Sequence, residues 1–182
     1  MDSITVPAVS SDYDHVIIDA WSPDGPLTVT ELDDGEVRTP ITGHYYIYQP
    51  TSELPDVLPG NAEYTGELLG DYHDSDQIIA SAATGTIEVS VDLENDQAIG
   101  AFDVKVAGED WAVVPFDVPI FPNGNRVEFS GEAENEEFSD IRVRGFFAGS
   151  DASELAGSFH LNSEAEFRDN GEVTGVFAAS SE

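Results

Sequence analysis

The 182-residue chain contains no cysteine, which excludes a disulfide framework, a thiolate zinc site and a cysteine nucleophile. It is also poor in positive charge: six residues are Lys or Arg, 37 are Asp or Glu, and the formal net charge is −31. A chain with so few cations cannot displace counterions from phosphates through a basic patch. Nucleic-acid binding of that kind is therefore excluded, and a basic anchor on anionic lipid is disfavoured.

Long apolar runs are missing as well. No stretch approaches the roughly 18 consecutive apolar residues of a transmembrane helix, so we expect no transmembrane segment. The opening Met1-Asp2-Ser3 has neither the basic region nor the apolar region of a signal peptide. The protein is therefore either cytoplasmic or a chain from which a signal or lipoprotein leader has been removed.

The acidic residues are spread along the whole chain, and hydrophobic residues still make up 40% of it. That share is too high for a disordered acidic tail, so the composition predicts a folded domain with an acidic surface. Salt in the surroundings screens the repulsion within such a surface. We interpret the acidity as a sign of a marine or halophilic habitat. Cation storage and a cationic partner are the alternatives.

Alternation of apolar and polar residues dominates the chain, and helical periodicity is scarce. In residues 86–93, for example, Ile87, Val89 and Val91 fall on one face of a strand. The same alternation predicts strands over residues 62–68, 98–106, 126–133, 141–147, 155–161 and 173–179. Short turn sequences separate these runs, which is typical of an antiparallel meander that forms a barrel or a sandwich.

Glycines on the apolar faces favour the barrel. Six of them lie two residues from an aromatic residue on the same face, as in Gly145/Phe147 and Gly157/Phe159. Alternating large and small inward residues suit a small closed barrel, in which a ring covers the bare glycine. The chain is therefore predicted to be all-β, with an antiparallel up-and-down β-barrel. The apolar segment 111–116 is interpreted as a core strand or, alternatively, as a loop that plugs the barrel mouth.

The first part of the chain differs from the rest in its sequence pattern. Short strands are predicted over residues 16–18, 27–32, 36–39 and 43–48. Pro50, Pro55 and Pro59 follow them, and prolines at this spacing indicate a linker. We therefore divide the chain into a short N-terminal β extension at residues 1–58 and a barrel at residues 59–182.

Residues 144–159, with the sequence RGFFAGSDASELAGSF, resemble the G-x-F-(Y/F)-G-x-x-A-x-E-(L/V)-(A/G)-G-x-F element of transferrin-binding-protein-B-like β-barrel domains. Such domains also form the C-terminal part of haemophilin-type surface lipoproteins. Residues 59–66 resemble the opening strand of the family, residues 91–100 one of its hairpins, and residues 175–179 its closing strand. The resemblance covers residues 59–182.

The resemblance implies an eight-stranded antiparallel barrel that is secreted or displayed on the bacterial outer-membrane surface, after removal of a leader. Members of the family bind host proteins or take part in iron and haem uptake. The chain has sequence for one barrel and a short extension, unlike the two-lobed proteins that bind host transferrin. Transferrin binding is therefore not carried over, and no binding residue of the family can be assigned.

Three aspartates, Asp71, Asp74 and Asp76, lie close together on a predicted loop after the strand at 62–68. Carboxylate oxygens are ligands that Ca²⁺ prefers, so the cluster is a candidate calcium site. Its spacing lacks the glycine and the final glutamate of an EF-hand. In a chain with 37 acidic residues, the alternative is a solvated acidic loop.

His44, Tyr46 and Tyr48 share one face of the predicted strand at 43–48. Histidine and tyrosine can ligate haem iron, and tyrosines also serve as contacts for a ligand or partner. Tyrosine is common in strands, so ordinary structural packing is the alternative. The three residues are a candidate contact site, with haem as the cofactor they would accept.

No catalytic motif is present: the chain has no Gly-x-Ser-x-Gly element, no phosphate-binding glycine loop and no pair of histidines at zinc-binding spacing. Arg142 and Arg144 alternate outward beside acidic strands, which predicts cross-strand ion pairs rather than an anion site. His160 is outward on its strand and is expected to be solvated. We expect the chain not to be an enzyme and not to need a cofactor.

The sequence thus predicts a non-catalytic binding module that recognises a protein or a small solute at the cell surface. Two alternatives stay open: a structural or adhesive protein of the cell envelope, and a lipocalin-like carrier with a ligand inside the barrel. A filled interior is predicted by the inward residues Phe102, Phe129, Phe147, Phe159 and Phe177. Such an interior counts against the carrier.

Overall fold

The computed structural model describes residues 14, 16–21, 43–48, 51, 61–74, 81–92, 94–124, 126–163 and 171–181. In these residues the strands are β1 (Val16–Trp21), β2 (Gly43–Tyr48), β3 (Asn61–Asp74), β4 (Ser81–Asp92), β5 (Gln97–Val106), β6 (Glu109–Asn123), β7 (Arg126–Ala133), β8 (Phe138–Ala148), β9 (Glu154–Ser163) and β10 (Gly171–Ser181). Strands β3 to β10 form a closed antiparallel barrel, and β1 and β2 form a separate two-stranded sheet. The predicted all-β, eight-stranded up-and-down barrel is confirmed.

Each barrel strand pairs with its neighbour along the chain, and β3 pairs with β10 to close the barrel. Successive residues of a strand point to opposite faces, which explains the alternating sequence. In β6 the even positions from Ala112 to Ile120 are buried, while the odd positions from Val113 to Pro119 are exposed. The described residues contain no helix that is long and apolar enough to cross a membrane.

Aromatic side chains fill the interior of the barrel. Phe102, Phe129, Phe147 and Phe177 are completely buried, and Phe159 is nearly so. The rings of Phe102 and Phe159 stack with centroids 4.9 Å apart, and Phe129 meets Phe147 edge-on at 6.0 Å. Pairs of this kind add about 0.5–1.5 kcal/mol each beyond the burial of their area. The predicted filled interior is confirmed.

Inward glycines make room for these rings. A Cβ atom placed on Gly145 would fall within the ring of Phe129, its direct partner on β7. Gly157 of β9 and Phe177 of β10 form a second pair of this kind. The sequence pattern predicted that a ring covers a glycine two residues away on its own strand. The ring comes instead from the neighbouring strand, because direct cross-strand partners are the closest residues on one face.

A β-bulge directs Trp111 to the mouth of the barrel. The register of β5 against β6 shifts between Val104 and Lys105, which makes Trp111 the extra residue of the bulge. Its indole packs edge-on against Tyr72 and Phe138, with ring centroids 5.9 and 5.5 Å away. Segment 111–116 is therefore a barrel strand, as predicted, and its first residue helps to close the mouth.

Tyr64 ties the opposite end of the barrel together. Its hydroxyl donates a 2.7 Å hydrogen bond to the carbonyl oxygen of Ala152. Burial and, to a smaller extent, the Asp151 carboxylate raise the pKa of Tyr64 to about 12. Because the pKa of Tyr64 is higher in the folded state, its protonated phenol stabilises the fold. This contribution is complete below the ordinary tyrosine pKa of about 10 and is lost as the pH rises through the pKa of the folded state.

We expect Tyr64→Phe to lower the free energy of unfolding by about 1–2 kcal/mol at pH 8, because the buried Ala152 carbonyl loses its donor. The variant should also lose less stability than the wild type between pH 10 and pH 12, since it has no phenol to ionise at this site. Urea unfolding at a series of alkaline pH values measures both effects. An unchanged alkaline slope in the variant would show that Tyr64 does not govern it.

The β1–β2 sheet packs on the outside of the barrel. Val16 and Ile18 of β1 are buried against Ala156 of β9 and against Val176 and Ala178 of β10. These three barrel residues face outward, so their small apolar side chains form the base on which β1 lies. The predicted strands at 16–18 and 43–48 correspond to β1 and β2, while those at 27–32 and 36–39 lie outside the described residues.

Thr51 bridges β7 and β8 at the point where their ladder ends. Its N–H donates to the Phe147 carbonyl and its own carbonyl accepts from the Val127 N–H, each at 3.0 Å. Its hydroxyl donates to the carbonyl oxygen of Gly149. One buried residue thus takes the place of a missing ladder pair. The division of the chain at residues 58 and 59 stays a prediction.

Candidate functional site

The residues predicted as a haem or recognition site lie on β2. The register of β2 against β1 sets His44, Tyr46 and Tyr48 opposite every second residue of β1. The three positions therefore belong to one side of the two-stranded sheet, as the alternation predicted. Their role in ligand or haem contact stays a prediction.

The aspartates predicted as a calcium site do not share a loop. Asp71 and Asp74 lie within β3, which extends further than predicted because both β4 and β10 pair with it. Residues three positions apart on a strand belong to opposite faces, so Asp71 and Asp74 diverge. Asp76 lies outside the described residues. Within those residues no three His, Asp or Glu side chains are placed to hold a metal ion, and the calcium site stays a prediction.

A groove of about 390 Å³ lies on the outer wall of the barrel, across β7, β8, β9 and β10. Antiparallel register lines up outward residues of neighbouring strands, and here it builds two rows. The first row consists of Ser130, Arg144 and Ser158, and the second of Glu132, Arg142, His160 and Thr174. We call this surface the outer groove.

Two arginines of β8 define the outer groove. Arg142 holds Asp140 through two contacts, from Nε to Oδ1 at 3.0 Å and from Nη2 to Oδ2 at 2.8 Å. Its Nε also lies 3.6 Å from Glu132 on β7. Arg144 donates from Nη2 to Glu128 on β7 at 3.0 Å. The predicted cross-strand ion pairs are therefore confirmed.

His160 is held more tightly than the expected solvated side chain. Its ring is 26% exposed, with Nε2 3.5 Å from Asp140 and Nδ1 3.4 Å from Glu172. Nδ1 also lies 3.2 Å from the hydroxyl of Thr174. The two carboxylates approach different nitrogens on opposite sides of the ring. They therefore orient the imidazole and do not converge on one point, as metal ligands must.

Glu128 lies beside the groove and holds Arg144 in place. It faces outward on β7, yet only 3% of the residue is exposed. The carboxylate accepts from Asn123 at 2.7 Å and from Arg144 at 3.0 Å, and Arg126 Nε lies 3.5 Å away. Burial alone raises the pKa of Glu128, but the hydrogen bonds and the two arginine charges outweigh it and hold the pKa below its ordinary value. A charged Glu128 thereby fixes Arg144.

We expect Glu128→Gln to lower the free energy of unfolding by about 2–3 kcal/mol at pH 7, because two arginines lose a buried counter-charge. A pKa that is lowered on folding stabilises the protein above the ordinary value of about 4.3, and this contribution is lost as the pH falls through the folded value. The difference between the wild type and the variant should therefore shrink in acid. Urea unfolding at pH 7 and at pH 3.5 measures it.

Glu132→Gln is the matched control, because Glu132 is 77% exposed and faces Arg142 on the same pair of strands. An exposed pair of this kind contributes about 0–1 kcal/mol. Equal losses of stability in the two variants would show that Glu128 is no more than a surface partner.

Alternation along the strands predicts that Arg142, Arg144 and His160 face outward but does not join them into a site. It also does not single out Ser130 or Ser158. The sequence does show that all these residues occupy outward positions on three consecutive predicted strands. Only the register between the strands shows that they form adjacent rows.

Comparison with solved structures identifies similar folds. A transferrin binding protein B variant from Haemophilus parasuis Hp5 matches 93% of the chain at 17% identity, with a TM-score of 0.57. The isotype 1 transferrin binding protein B from serogroup B Neisseria meningitidis matches 94% at 16% identity, with a TM-score of 0.58. The match covers 33% and 32% of those structures, so the chain spans about a third of their length. No match is found among curated proteins.

A family described as the C-lobe and N-lobe beta barrels of Tf-binding protein B matches residues 58–181. This range includes every strand of the barrel, from β3 to β10, and every residue of the outer groove. The resemblance inferred from the glycine and aromatic motifs is thereby confirmed. The chain belongs to the family of transferrin-binding protein B β-barrels.

Proposed function

We propose that this chain is a non-catalytic binding module of the bacterial cell surface that recognises a protein or solute in iron or haem uptake. The family match supports the role in binding, because the similar solved structures are named for binding transferrin. The observation that carries the proposal is the filled barrel interior, with Phe102, Phe129 and Phe177 packed ring against ring. Recognition therefore uses the outside of the barrel.

The filled interior also separates this proposal from a lipocalin-like carrier. A carrier of this size needs a cavity inside the barrel for its ligand. Here the rings of Phe102 and Phe116 lie 5.0 Å apart, and Tyr64 meets Phe147 at 6.2 Å, so aromatic contacts extend along the interior. We further propose that the chain lies outside the cell and that its acidity suits a saline habitat.

Surface plasmon resonance on the immobilised chain tests the proposed partner. Iron-loaded transferrin, iron-free transferrin and haem are passed over it at low and high salt. We expect saturable binding of at least one of the three probes that survives high salt, since a specific interface does not depend on screened charge alone. An acidic protein of similar net charge and unrelated fold is the control. Absence of saturable binding by all three would remove iron and haem uptake from the proposal.

Labelling of intact cells tests the location. An antibody against the chain should label unpermeabilised cells of the source organism, and protease added outside should remove the signal. Labelling that requires permeabilisation would contradict display at the surface. Surface labelling without any iron carrier bound would instead favour the structural or adhesive alternative.

A further inference from the structure

We infer that the outer groove binds a neutral, polyhydroxylated ligand, in chemical terms a short saccharide. The inference rests on the proposed role in surface recognition, because it names the chemical class that one face of the barrel accepts. The volume of the groove, about 390 Å³, lies within the range of about 300–1,000 Å³ typical of small-ligand sites. Four strands line it, so the site is built on rigid elements.

The first row of the groove holds polar groups that the protein leaves unused. Ser130 and Ser158 are the direct neighbours of Arg144 on β7 and β9. In the part of the chain that the structure describes, neither serine hydroxyl has a hydrogen-bond partner. Arg144 commits Nη2 to Glu128, and a guanidinium carries five N–H donors. The row therefore presents a half-exposed guanidinium with spare donors between two available hydroxyls.

The second row adds an acceptor beside a donor. Glu132 is 77% exposed, and its Oε1 lies 3.6 Å from Arg142 Nε, beyond hydrogen-bond distance. Asp140 accepts from the same Nε and also contacts Nη2, which keeps the guanidinium next to Glu132, while no partner of Nη1 lies among the described residues. A pair of adjacent hydroxyls on a sugar ring can donate to a carboxylate and accept from a guanidinium at the same time. Glu132 and Arg142 provide this combination.

The charge of the protein selects against ionic ligands. A net charge of −31 repels anions from the surface, and both groove arginines already have carboxylate partners. A cation finds carboxylates over much of the surface, so the outer groove offers it no advantage. A neutral ligand is indifferent to the net charge. For such a ligand the close set of donors, acceptors and hydroxyls in the groove is the distinguishing feature.

Nuclear magnetic resonance of the whole ¹⁵N-labelled chain tests the inference. The chain has five arginines with one Nε–H group each, and substitution assigns the signals of Arg142 and Arg144. The probes are glucose, galactose, mannose and N-acetylglucosamine, titrated one at a time, with citrate as the anionic probe. We expect a saturable shift of both arginine signals with at least one sugar and none with citrate.

Matched variants separate the site from general effects of charge. Arg142→Gln should weaken sugar binding by about tenfold or more, a loss of about 1.4 kcal/mol. Lys105→Gln removes the same charge from the outer wall of β5, where Lys105 pairs with exposed Asp110, and should leave binding unchanged. Ser158→Leu fills the groove without touching an ion pair and should abolish binding. Thr86→Leu, at an outward position of β4, is its control.

Three results would overturn the inference: no saturable shift with any of the sugars, a shift with citrate alone, or equal weakening by Arg142→Gln and Lys105→Gln. These results are distinct from failure of the proposed function. A chain that binds an iron carrier but no sugar refutes the saccharide site alone. A chain that binds a sugar in the groove but no iron carrier supports the site and refutes the role in iron or haem uptake.

Discussion

Raising the NaCl concentration from about 0.05 M to about 1 M is expected to raise the midpoint temperature of unfolding by about 10 °C. The chain carries a net charge of −31, and folding brings the acidic residues of the barrel strands close together. At 1 M salt the Debye length is about 3 Å, which is shorter than the spacing of neighbouring strands. Salt therefore removes most of the repulsion that opposes folding. Circular dichroism in a salt series measures the midpoint.

The arrangement of the barrel wall makes this repulsion long-range. Glu88 lies opposite Thr65 on one side and Ala101 on the other, so no acid faces it directly. Asp103 likewise lies opposite Thr86. Directly opposed like charges would destabilise the sheet even in salt. Because these acids are spaced apart, screening relieves nearly all of their interaction, and the midpoint should level off near 1 M.

KCl at equal ionic strength is the control for the salt series, because screening depends on ionic strength and not on the identity of the cation. We expect the same midpoints in both salts. A midpoint that stays constant between about 0.05 and 0.5 M would contradict an electrostatic origin. A rise with one cation alone would point to specific ion binding.

Gly145→Ala is expected to lower the free energy of unfolding by about 2–3 kcal/mol, because the added methyl group occupies the space of the Phe129 ring. Phe129→Ala should cost about 3–5 kcal/mol through the cavity that it leaves. In the Phe129→Ala background the Gly145→Ala change should cost almost nothing, since the three atoms nearest to the added methyl group all belong to the Phe129 ring. The cycle should therefore give a coupling energy of about 2 kcal/mol, measured by urea unfolding.

The ring of Phe116 provides the control for this cycle. Phe116 is also inward and buried, but its ring covers Gly100 and is absent from the nearest neighbours of a Cβ on Gly145. Phe116→Ala combined with Gly145→Ala should therefore show a coupling energy near zero. Equal coupling in the two cycles would mean that the barrel interior responds to volume as a whole and not through specific ring and glycine pairs.

The strands could be predicted because a barrel wall has one apolar and one polar face, which leaves a period of two in the sequence. The sequence predicts that a ring covers each inward glycine, but it does not identify the ring. For Gly145, both Phe147 and Phe129 are candidates. The register between β7 and β8 decides for Phe129, and register depends on turns and bulges that act over several strands.

The outer groove depends even more on the register between strands, which the sequence does not reveal. Parity placed Arg144 on the outside of β8, but its neighbours Ser130 and Ser158 come from two other strands. Glu128 faces outward on β7, yet it is buried because side chains of β6 and β8 close over it. The loop expected around Asp71 turned out to be strand because β4 and β10 both extend that far. Each of these features depends on pairing between strands and could not be predicted from one strand alone.

Closure of the barrel by β3 and β10 has a consequence for the order of events during synthesis or secretion. β3 is the first barrel strand to appear and β10 the last, and Tyr64 meets Ser181 only when both are present. Until then the chain can form at most an open sheet with two unpaired edges and its phenylalanines accessible, a state prone to aggregation. A truncation within β10 would therefore yield no seven-stranded barrel but a substrate for chaperones and proteases.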